Sequence, residues 1–132
     1  MILKSISLEN FQSYYGNQSE NEFQFLKGVN IICGSNGAGK SKLFNAFHWV
    51  LFGKIFTNHE WIITESKPKN FISNKAKYNC EEGEKIKCSV KLIFIADNYE
   101  SNDVEVEYTY ERKVVVEKKN NDWNVVTPEQ LE

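Results

Sequence analysis

The sequence is poor in the residues that build disulfide-rich, zinc-binding or secreted proteins. It holds three cysteines, Cys33, Cys80 and Cys88, an odd number without C-x-x-C spacing, which supports neither a disulfide framework nor a zinc site. A reducing, cytoplasmic setting fits this usage best. No apolar run approaches the roughly 18 residues of a membrane-spanning helix, and the first twelve residues lack the apolar stretch of a signal peptide.

The chain also lacks a net positive charge, and arginine is scarce. The formal net charge is −2 and the pI about 5.8, which argues against a constitutively basic nucleic-acid module, although a local basic patch is still compatible with it. Arg112 is the single arginine, and this disfavours a small P-loop kinase with an arginine-rich lid. What the chain does contain is 41% hydrophobic and 14% aromatic residues, a composition that predicts a packed core.

Hydrophobic periodicity predicts strands first and then a helix. Residues 2–9 alternate as a half-buried strand, with Lys4 the exception on the apolar side, and 23–25 indicate a second strand. The apolar run 29–33 is typical of a central strand covered on both faces. The helix expected over 40–52 is apolar around most of its axis, which predicts burial on nearly all sides, and Gly53 suits its C-terminal cap.

The remainder predicts an irregular segment followed by β-structure. Residues 57–84 are mixed in composition and suggest a long excursion, tied down by apolar anchors at Trp61, Ile62, Ile63, Phe71 and Ile72. Alternating residues over 85–126 predict an antiparallel meander with one charged face. We therefore interpret 1–132 as a single lobe, with a core over 1–56, the excursion over 57–84 and the meander over 85–126.

The loop between the predicted central strand and the helix is a phosphate-binding motif. Residues 34–41 match G-x-x-x-x-G-K-[ST], with Gly34, Gly39, Lys40 and Ser41 at the fixed positions. Glycines allow backbone N–H groups to converge on phosphate oxygens, and the helix N-terminus adds unpaired N–H groups and a positive dipole end. We expect Lys40 to reach the β- and γ-phosphates of ATP and Ser41 to coordinate Mg²⁺.

The motif and its neighbours resemble a known family. The segment "Leu8-Glu9-Asn10-Phe11-Gln12-Ser13-Tyr14", the loop "Asn36-Gly37-Ala38-Gly39-Lys40-Ser41" and the helix ending in "Trp49-Val50-Leu51-Phe52-Gly53" are similar to the N-terminal nucleotide-binding lobe of SMC, Rad50 and RecF/RecN ATPases, a branch of the ABC-type ATPases. In appearance, the chain is nearest to Rad50-like and DndD-like proteins. The resemblance covers nearly the whole chain and is strongest over 31–53.

This resemblance implies a fold and a set of site residues. The fold would be an α/β P-loop NTPase half-domain, lobe 1 of an ABC-type ATPase, beside an antiparallel β subdomain. Nucleotide-binding positions would be Gln12, Ser13, Asn36, Gly37, Ala38, Gly39, Lys40, Ser41 and Lys42, with Ser41 as the metal ligand. Gln12 departs from the family, which has a basic residue there that helps to hold the nucleotide.

The resemblance also implies that the chain is half of a catalytic unit. In the family, a C-terminal lobe supplies the Walker B acid and the signature motif, and two heads clamp ATP and act on DNA. Neither motif occurs here, and the flanks of Gln130 do not suggest the strand expected before the family's glutamine loop. We therefore expect this chain to bind ATP and Mg²⁺ without turnover alone, in a protein of DNA repair or anti-phage defence.

Other interpretations of the sequence stay open. A transporter-type ABC ATPase is disfavoured by the Asn-Gly-Ala-Gly loop, and a non-catalytic assembly module with a structural nucleotide site is a further alternative. Trp61 is a candidate for the adenine contact and otherwise a packing residue. The lysines at 67, 69, 75 and 77 form a local basic stretch, which is either a solvated loop or a contact to DNA phosphates. His48 is expected to be packed within the helix.

Overall fold

The structure is a computed structural model, and it describes residues 2–34, 39–57, 59–63, 68–98 and 104–132. Within them the elements are, in chain order, β1 (Ile2–Glu9), β2 (Glu22–Gln24), α1 (Lys40–Phe52), β3 (Lys54–Thr57), β4 (Glu60–Ile63), α2 (Asn74–Asn79), β5 (Lys85–Asn98), β6 (Val104–Lys119) and β7 (Asp122–Leu131), with short 3-10 turns at Gln18–Glu20 and Pro68–Asn70.

An antiparallel sheet of five strands in the order β2-β1-β5-β6-β7 forms the body of the molecule, and β3 and β4 make a separate hairpin. The strands β5, β6 and β7 follow one another in the chain and pair as neighbours, which is the meander that the alternating pattern predicts. β1 returns to pair with β5. The meander runs to Leu131, beyond the predicted end at 126, and Pro128 is accommodated because β7 is an edge strand.

A β-bulge explains why Lys4 interrupts the apolar pattern of β1. Opposite β5, Leu3 pairs with Phe94 and Ser5 with Ile93, so Lys4 is the extra residue. It is exposed and forms an ion pair of 2.7 Å with Glu107. The expectation of a half-buried strand is wrong for the middle of β1, because Ser5 and Ser7 are only 3% exposed, like the apolar residues between them.

Helix α1 lies against the sheet and makes the core with it. Its buried residues are Leu43, Asn45, Ala46, Trp49 and Val50, and its apolar ones belong to one cluster with the inward side chains of β1, β5 and β6. The prediction that the helix is buried on nearly all sides is wrong for this chain, since Phe44 and Phe52 are 52% and 64% exposed. One face packs on the sheet, and part of the other is open.

The run 29–33 does not form the predicted central strand. It has no strand assignment, and Val29 and Ile31 are 91% and 82% exposed. Apolar residues of this kind are stable in a strand only where neighbouring strands pair with the backbone and side chains cover both faces. The described residues supply neither for this segment.

The excursion contains more regular structure than the sequence predicts. Residues 60–63 pair with 54–57 in a hairpin, and Ser73 caps a short helix by accepting a hydrogen bond from the Ala76 N–H. The anchors Phe71 and Ile72 are confirmed, with 1% and 3% of their surface exposed. Phe71 packs 5.2 Å from Trp49 of α1, so this segment is attached to the core beside the helix.

Candidate functional site: the N-terminus of helix α1

The first turn of α1 has free backbone donors. Gly39 is the residue before the helix and has φ 100°, and no side chain caps the helix there. The first intrahelical bond is donated by the Leu43 N–H to the Gly39 carbonyl at 2.9 Å. The N–H groups of Lys40, Ser41 and Lys42 therefore have no acceptor within the helix, which is the arrangement that binds phosphate groups.

The side chains of this turn are accessible. Lys40 and Ser41 are exposed, and Lys42 is half-buried. An exposed ammonium and hydroxyl at a helix N-terminus fit a phosphate chain and its Mg²⁺. The predicted loop residues Asn36, Gly37 and Ala38 lie outside the described residues. Of the predicted site residues, the structure thus places 39–42 together at the helix start.

A turn after β1 meets the helix start from the other side. The Tyr14 hydroxyl donates a hydrogen bond of 2.9 Å to the Gly39 carbonyl. A Cβ atom on Gly39 would lie 3.2 Å from Ser13 Oγ and 3.0 Å from the Tyr14 hydroxyl. Glycine is required here both because φ is positive and because these two side chains approach so closely. Ser13, a predicted site residue, is therefore adjacent to the phosphate motif in space as well as in the family pattern.

Gln12 is held in the interior. It has φ 49°, its N–H donates to the Phe71 carbonyl at 2.6 Å, and it is 9% exposed. Its side-chain oxygen accepts a hydrogen bond of 3.3 Å from Asn45. At the position where the resembled family has a cation, this chain thus has a neutral side chain that is bonded to α1.

Asn45 is a buried polar residue that sequence reasoning missed. Besides Gln12, it donates to the Phe56 carbonyl at 3.0 Å and accepts from the Phe56 N–H at 2.8 Å. It therefore ties α1 to the turn after β1 and to β3. The available signal was an amide between apolar neighbours in a helix, since such a residue is stable there only with partners.

A basic cavity of about 330 Å³ adjoins this site, lined by Gln12, Ser13, Lys42, Lys69, Asn70, Ile72, Ser73, Asn74 and Lys75. Three lysines and no carboxylate line it within the described residues, so it suits an anion and offers no general base. Lys77 donates to the carbonyl of Lys69, one of the lining residues, at 2.9 Å. Burial, and secondarily the charge of Lys69, lower the pKa of Lys77. Lys67 lies outside the described residues.

Trp61 lies apart from this cavity. Its ring is 4.6 Å from that of His48 and 5.2 Å from that of Phe56, and it lines a separate cavity with His48, Phe52 and Lys54. The structure therefore does not bring Trp61 together with Ser13 and Lys42. The predicted packing of His48 is confirmed by its contacts with Phe44 and Trp61.

Two further features bear on the class of site. Within the described ranges, no group of three or more His, Cys, Asp or Glu side chains is arranged to hold a metal ion. None of the described helices is both long and apolar enough to cross a bilayer.

Comparison with known proteins agrees with the geometry. Residues 5–132 match the family model of the AAA domain. The chain is 38% identical over 73 residues to the DNA double-strand break repair Rad50 ATPase of Methanocaldococcus jannaschii, which is 54% of this chain and 7% of that protein. It is 35% identical over 57 residues to the DNA replication and repair protein RecF of Salinibacter ruber, which is 43% of this chain and 13% of that protein.

A solved structure shows the same fold. It comes from work on ATP-driven dimerization and DNA-stimulated activation of SMC ATPases, and it superimposes with a TM-score of 0.57 at 20% identity over 98% of this chain and 72% of that one. The fold is thus a P-loop NTPase half-domain with an antiparallel β subdomain, and the family resemblance predicted from the sequence is confirmed. The chain spans only a small part of the curated relatives that it matches. Since the matched family model covers almost its full length, the chain belongs to the AAA domain family, and within the matched segments it is similar to Rad50 and RecF proteins.

Proposed function

We propose that this chain is the ATP-binding N-terminal part of a Rad50-like ATPase that acts on DNA, and that it binds Mg-ATP at the N-terminus of α1. The observation that carries the proposal is the free first turn of α1, which begins at the Lys-Ser of a Gly-x-x-x-x-Gly-Lys-Ser sequence, with Gly39 at positive φ and no side-chain cap. A phosphate chain would accept hydrogen bonds from these backbone N–H groups. Lys40 would neutralise the terminal phosphates as a point charge.

Magnesium fits the residues present. The Ser41 hydroxyl is exposed in the first turn and would hold the ion, which would bridge phosphate oxygens and offset their charge. Lys42 and Lys75 of the adjoining cavity would add positive potential, whereas the charge of Lys69 is offset by its ion pair of 3.0 Å with Asp122. Ser13, which lies beside Gly39, would contact the nucleotide from the turn after β1. Gln12 carries no charge and would act through its hydrogen bond to Asn45.

Hydrolysis requires more than the described residues provide. A positioned water, a base and charge stabilisation are needed, and the described lining of the cavity has no carboxylate. The open apolar residues Val29 and Ile31, together with the exposed Phe44 and Phe52 of α1, support a C-terminal lobe as the missing cover. We propose that this lobe, and a second head brought in by ATP, complete the catalytic unit around DNA.

The nucleotide site is tested by calorimetry with Mg-ATP on the wild-type chain and on Lys40→Ala. We expect binding by the wild type and a loss of at least about ten-fold in affinity for the variant, since a charge-assisted contact contributes about 1.5–3 kcal/mol. Lys54→Ala is the matched control, because Lys54 is also exposed but lies on β3 at the separate cavity. An empty wild-type site would contradict the proposal.

The proposal that the chain does not hydrolyse ATP by itself is tested by measuring phosphate release. The chain alone should show no steady-state turnover, and robust turnover that disappears in Lys40→Ala would overturn this part of the proposal. In the complete protein, ATP should promote dimerisation measured by light scattering, and it should raise DNA affinity. If ATP promotes neither dimerisation nor DNA binding, a non-catalytic assembly module with a structural nucleotide site would be favoured.

Two biological roles, DNA repair and anti-phage defence, predict different phenotypes of a deletion strain. A repair protein predicts that a deletion strain becomes sensitive to double-strand breaks. A defence protein predicts an unchanged response to breaks and an increased plaque count with phage. The names of the relatives, a Rad50 ATPase and RecF, support repair, which we therefore expect to be the outcome.

A further inference from the structure

The hydrogen bond between Tyr14 and Gly39 joins the phosphate motif to a part of the chain 25 residues earlier. The Gly39 carbonyl accepts twice, from the Tyr14 hydroxyl at 2.9 Å and from the Leu43 N–H at 2.9 Å. A carbonyl held from two directions cannot rotate freely. Tyr14 thus restrains the peptide group at which the loop becomes a helix.

The consequence for Lys40 follows from peptide geometry. The peptide bond is planar and trans, so the carbonyl of one residue and the N–H of the next point in opposite directions. Fixing the Gly39 carbonyl toward Tyr14 therefore fixes the Lys40 N–H away from Tyr14. That N–H is one of the free donors of the first turn of α1.

Tyr14 is itself firmly placed. Its N–H donates to the Phe11 carbonyl at 2.8 Å, and Phe11 is fully buried and packs 5.3 Å from Trp49. The Tyr14 ring meets the ring of Phe23 edge to face at 5.7 Å. A tyrosine hydroxyl is protonated at neutral pH and can donate, and burial raises the pKa of Tyr14 further.

We propose that Tyr14 is a positioning residue for the phosphate site, whose hydroxyl holds the Gly39 carbonyl and so orients the Lys40 N–H toward a bound phosphate chain. This inference rests on the proposed nucleotide-binding function. It assigns Tyr14 no contact with the nucleotide. Its effect on binding comes from pre-organisation, because a donor that is already oriented does not lose freedom when the ligand arrives.

Tyr14→Phe is the direct test, because it removes only the hydroxyl and retains the ring on Phe23. We expect about three- to ten-fold weaker binding of Mg-ATP in calorimetry, the range that follows from one hydrogen bond. Magnesium tripolyphosphate, which lacks the adenosine, should weaken by the same factor, since the oriented N–H acts on the phosphate chain. A loss confined to ATP would overturn the inference.

Two controls separate positioning from stability. Tyr15→Phe removes a neighbouring hydroxyl that accepts from Asn79 instead, and its affinity should be unchanged. Phe23→Leu loosens the ring packing of Tyr14 but keeps its hydroxyl, so it should lower the thermal midpoint more than Tyr14→Phe while keeping affinity within about two-fold. If affinity instead follows the thermal midpoint across the three variants, Tyr14 has a structural role only.

The outcomes also separate this inference from the function on which it rests. Wild-type binding with unchanged affinity in Tyr14→Phe would overturn the role of Tyr14 and leave the nucleotide site intact. Absence of wild-type binding to both ligands would overturn both. The bond itself is visible without ligand, because the Gly39 carbonyl carbon resonance should shift in Tyr14→Phe and not in Tyr15→Phe.

Discussion

Arg112 of β6 and Glu129 of β7 form an ion pair of 3.3 Å at the C-terminal end of helix α1. Their side chains are 13% and 3% exposed, and Arg112 also donates to the Val50 carbonyl at 3.4 Å. A cation at this end of a helix interacts favourably with its dipole. The pair therefore joins two strands of the meander to the C-terminal end of α1, whereas the candidate phosphate site lies at its N-terminal end.

Removing one partner of this buried pair should be costly. We expect Arg112→Met to lower the free energy of unfolding by about 3–5 kcal/mol, since the substitution breaks an ion pair whose side chains are largely buried. Urea denaturation measures the change. Lys4→Met is the control, because its ion pair with Glu107 is half-exposed and should contribute less than about 1 kcal/mol. Equal losses in the two variants would show that burial of the Arg112 pair is unimportant.

Gly39 should be intolerant of a side chain for two separable reasons. Gly39→Ala places a Cβ at φ 100° and 3.0 Å from the Tyr14 hydroxyl. Gly28 has φ 96°, and a Cβ added there would meet no described neighbour within 4 Å, so Gly28→Ala carries the backbone strain alone, about 1 kcal/mol. We expect Gly39→Ala to lose more, about 2–3 kcal/mol of unfolding free energy, together with Mg-ATP affinity. If Gly39→Ala and Gly28→Ala lose the same unfolding free energy in urea denaturation, the close approach of Tyr14 and Ser13 to Gly39 does not contribute to the loss.

Asn45 should contribute to the stability of the fold through the hydrogen bonds of its side chain. Asn45→Ala removes hydrogen bonds to both backbone groups of Phe56 and to Gln12. We expect unfolding free energy to fall by about 1–3 kcal/mol, because polar groups lose their partners in a partly buried place. Asn79→Ala, on the exposed side of α2, is the matched control and should change stability by less than about 0.5 kcal/mol. Urea denaturation, which gives the unfolding free energy of each variant, decides between these outcomes.

Stability should fall at alkaline pH through Cys88. Burial raises the pKa of this thiol well above its usual range, and the charges of Glu9 and Glu129 add to the effect. Above the ordinary thiol pKa of about 8.5, the unfolded chain releases a proton that the folded chain retains. The contribution is thus full below that pH and is lost as pH rises further. Unfolding free energy between about pH 8.5 and 10 should fall less steeply in Cys88→Val, whereas parallel curves would contradict this.

Local patterns predicted much of the fold. The meander was predictable because β5, β6 and β7 are consecutive and alternate cleanly, and Lys4 already stood out in β1. The helix start at Lys40 followed from the phosphate motif. These features depend on residues that are close in sequence, which is the range over which periodicity is informative.

Features set by distant contacts were not predictable. The bond from Tyr14 to Gly39 spans 25 residues, and that from Asn45 to Gln12 spans 33. The exposure of Val29 and Ile31 was missed for another reason. Their apolar composition predicts packing on both faces of the segment. Composition does not say which part of a protein provides that packing.

The two-residue turn between β6 and β7 has a consequence for the order of folding. Asn120 and Asn121 both have positive φ, 55° and 57°, the backbone that matches the natural twist of a tight hairpin. Closing this two-residue loop costs little conformational entropy. Pairing β1 with β5 closes a loop of about 80 residues, which costs more. Pulsed hydrogen exchange should therefore find the amides of 115–124 protected early in refolding and those of β1 later, so that the turn after β1 reaches the candidate phosphate site only after this hairpin has formed.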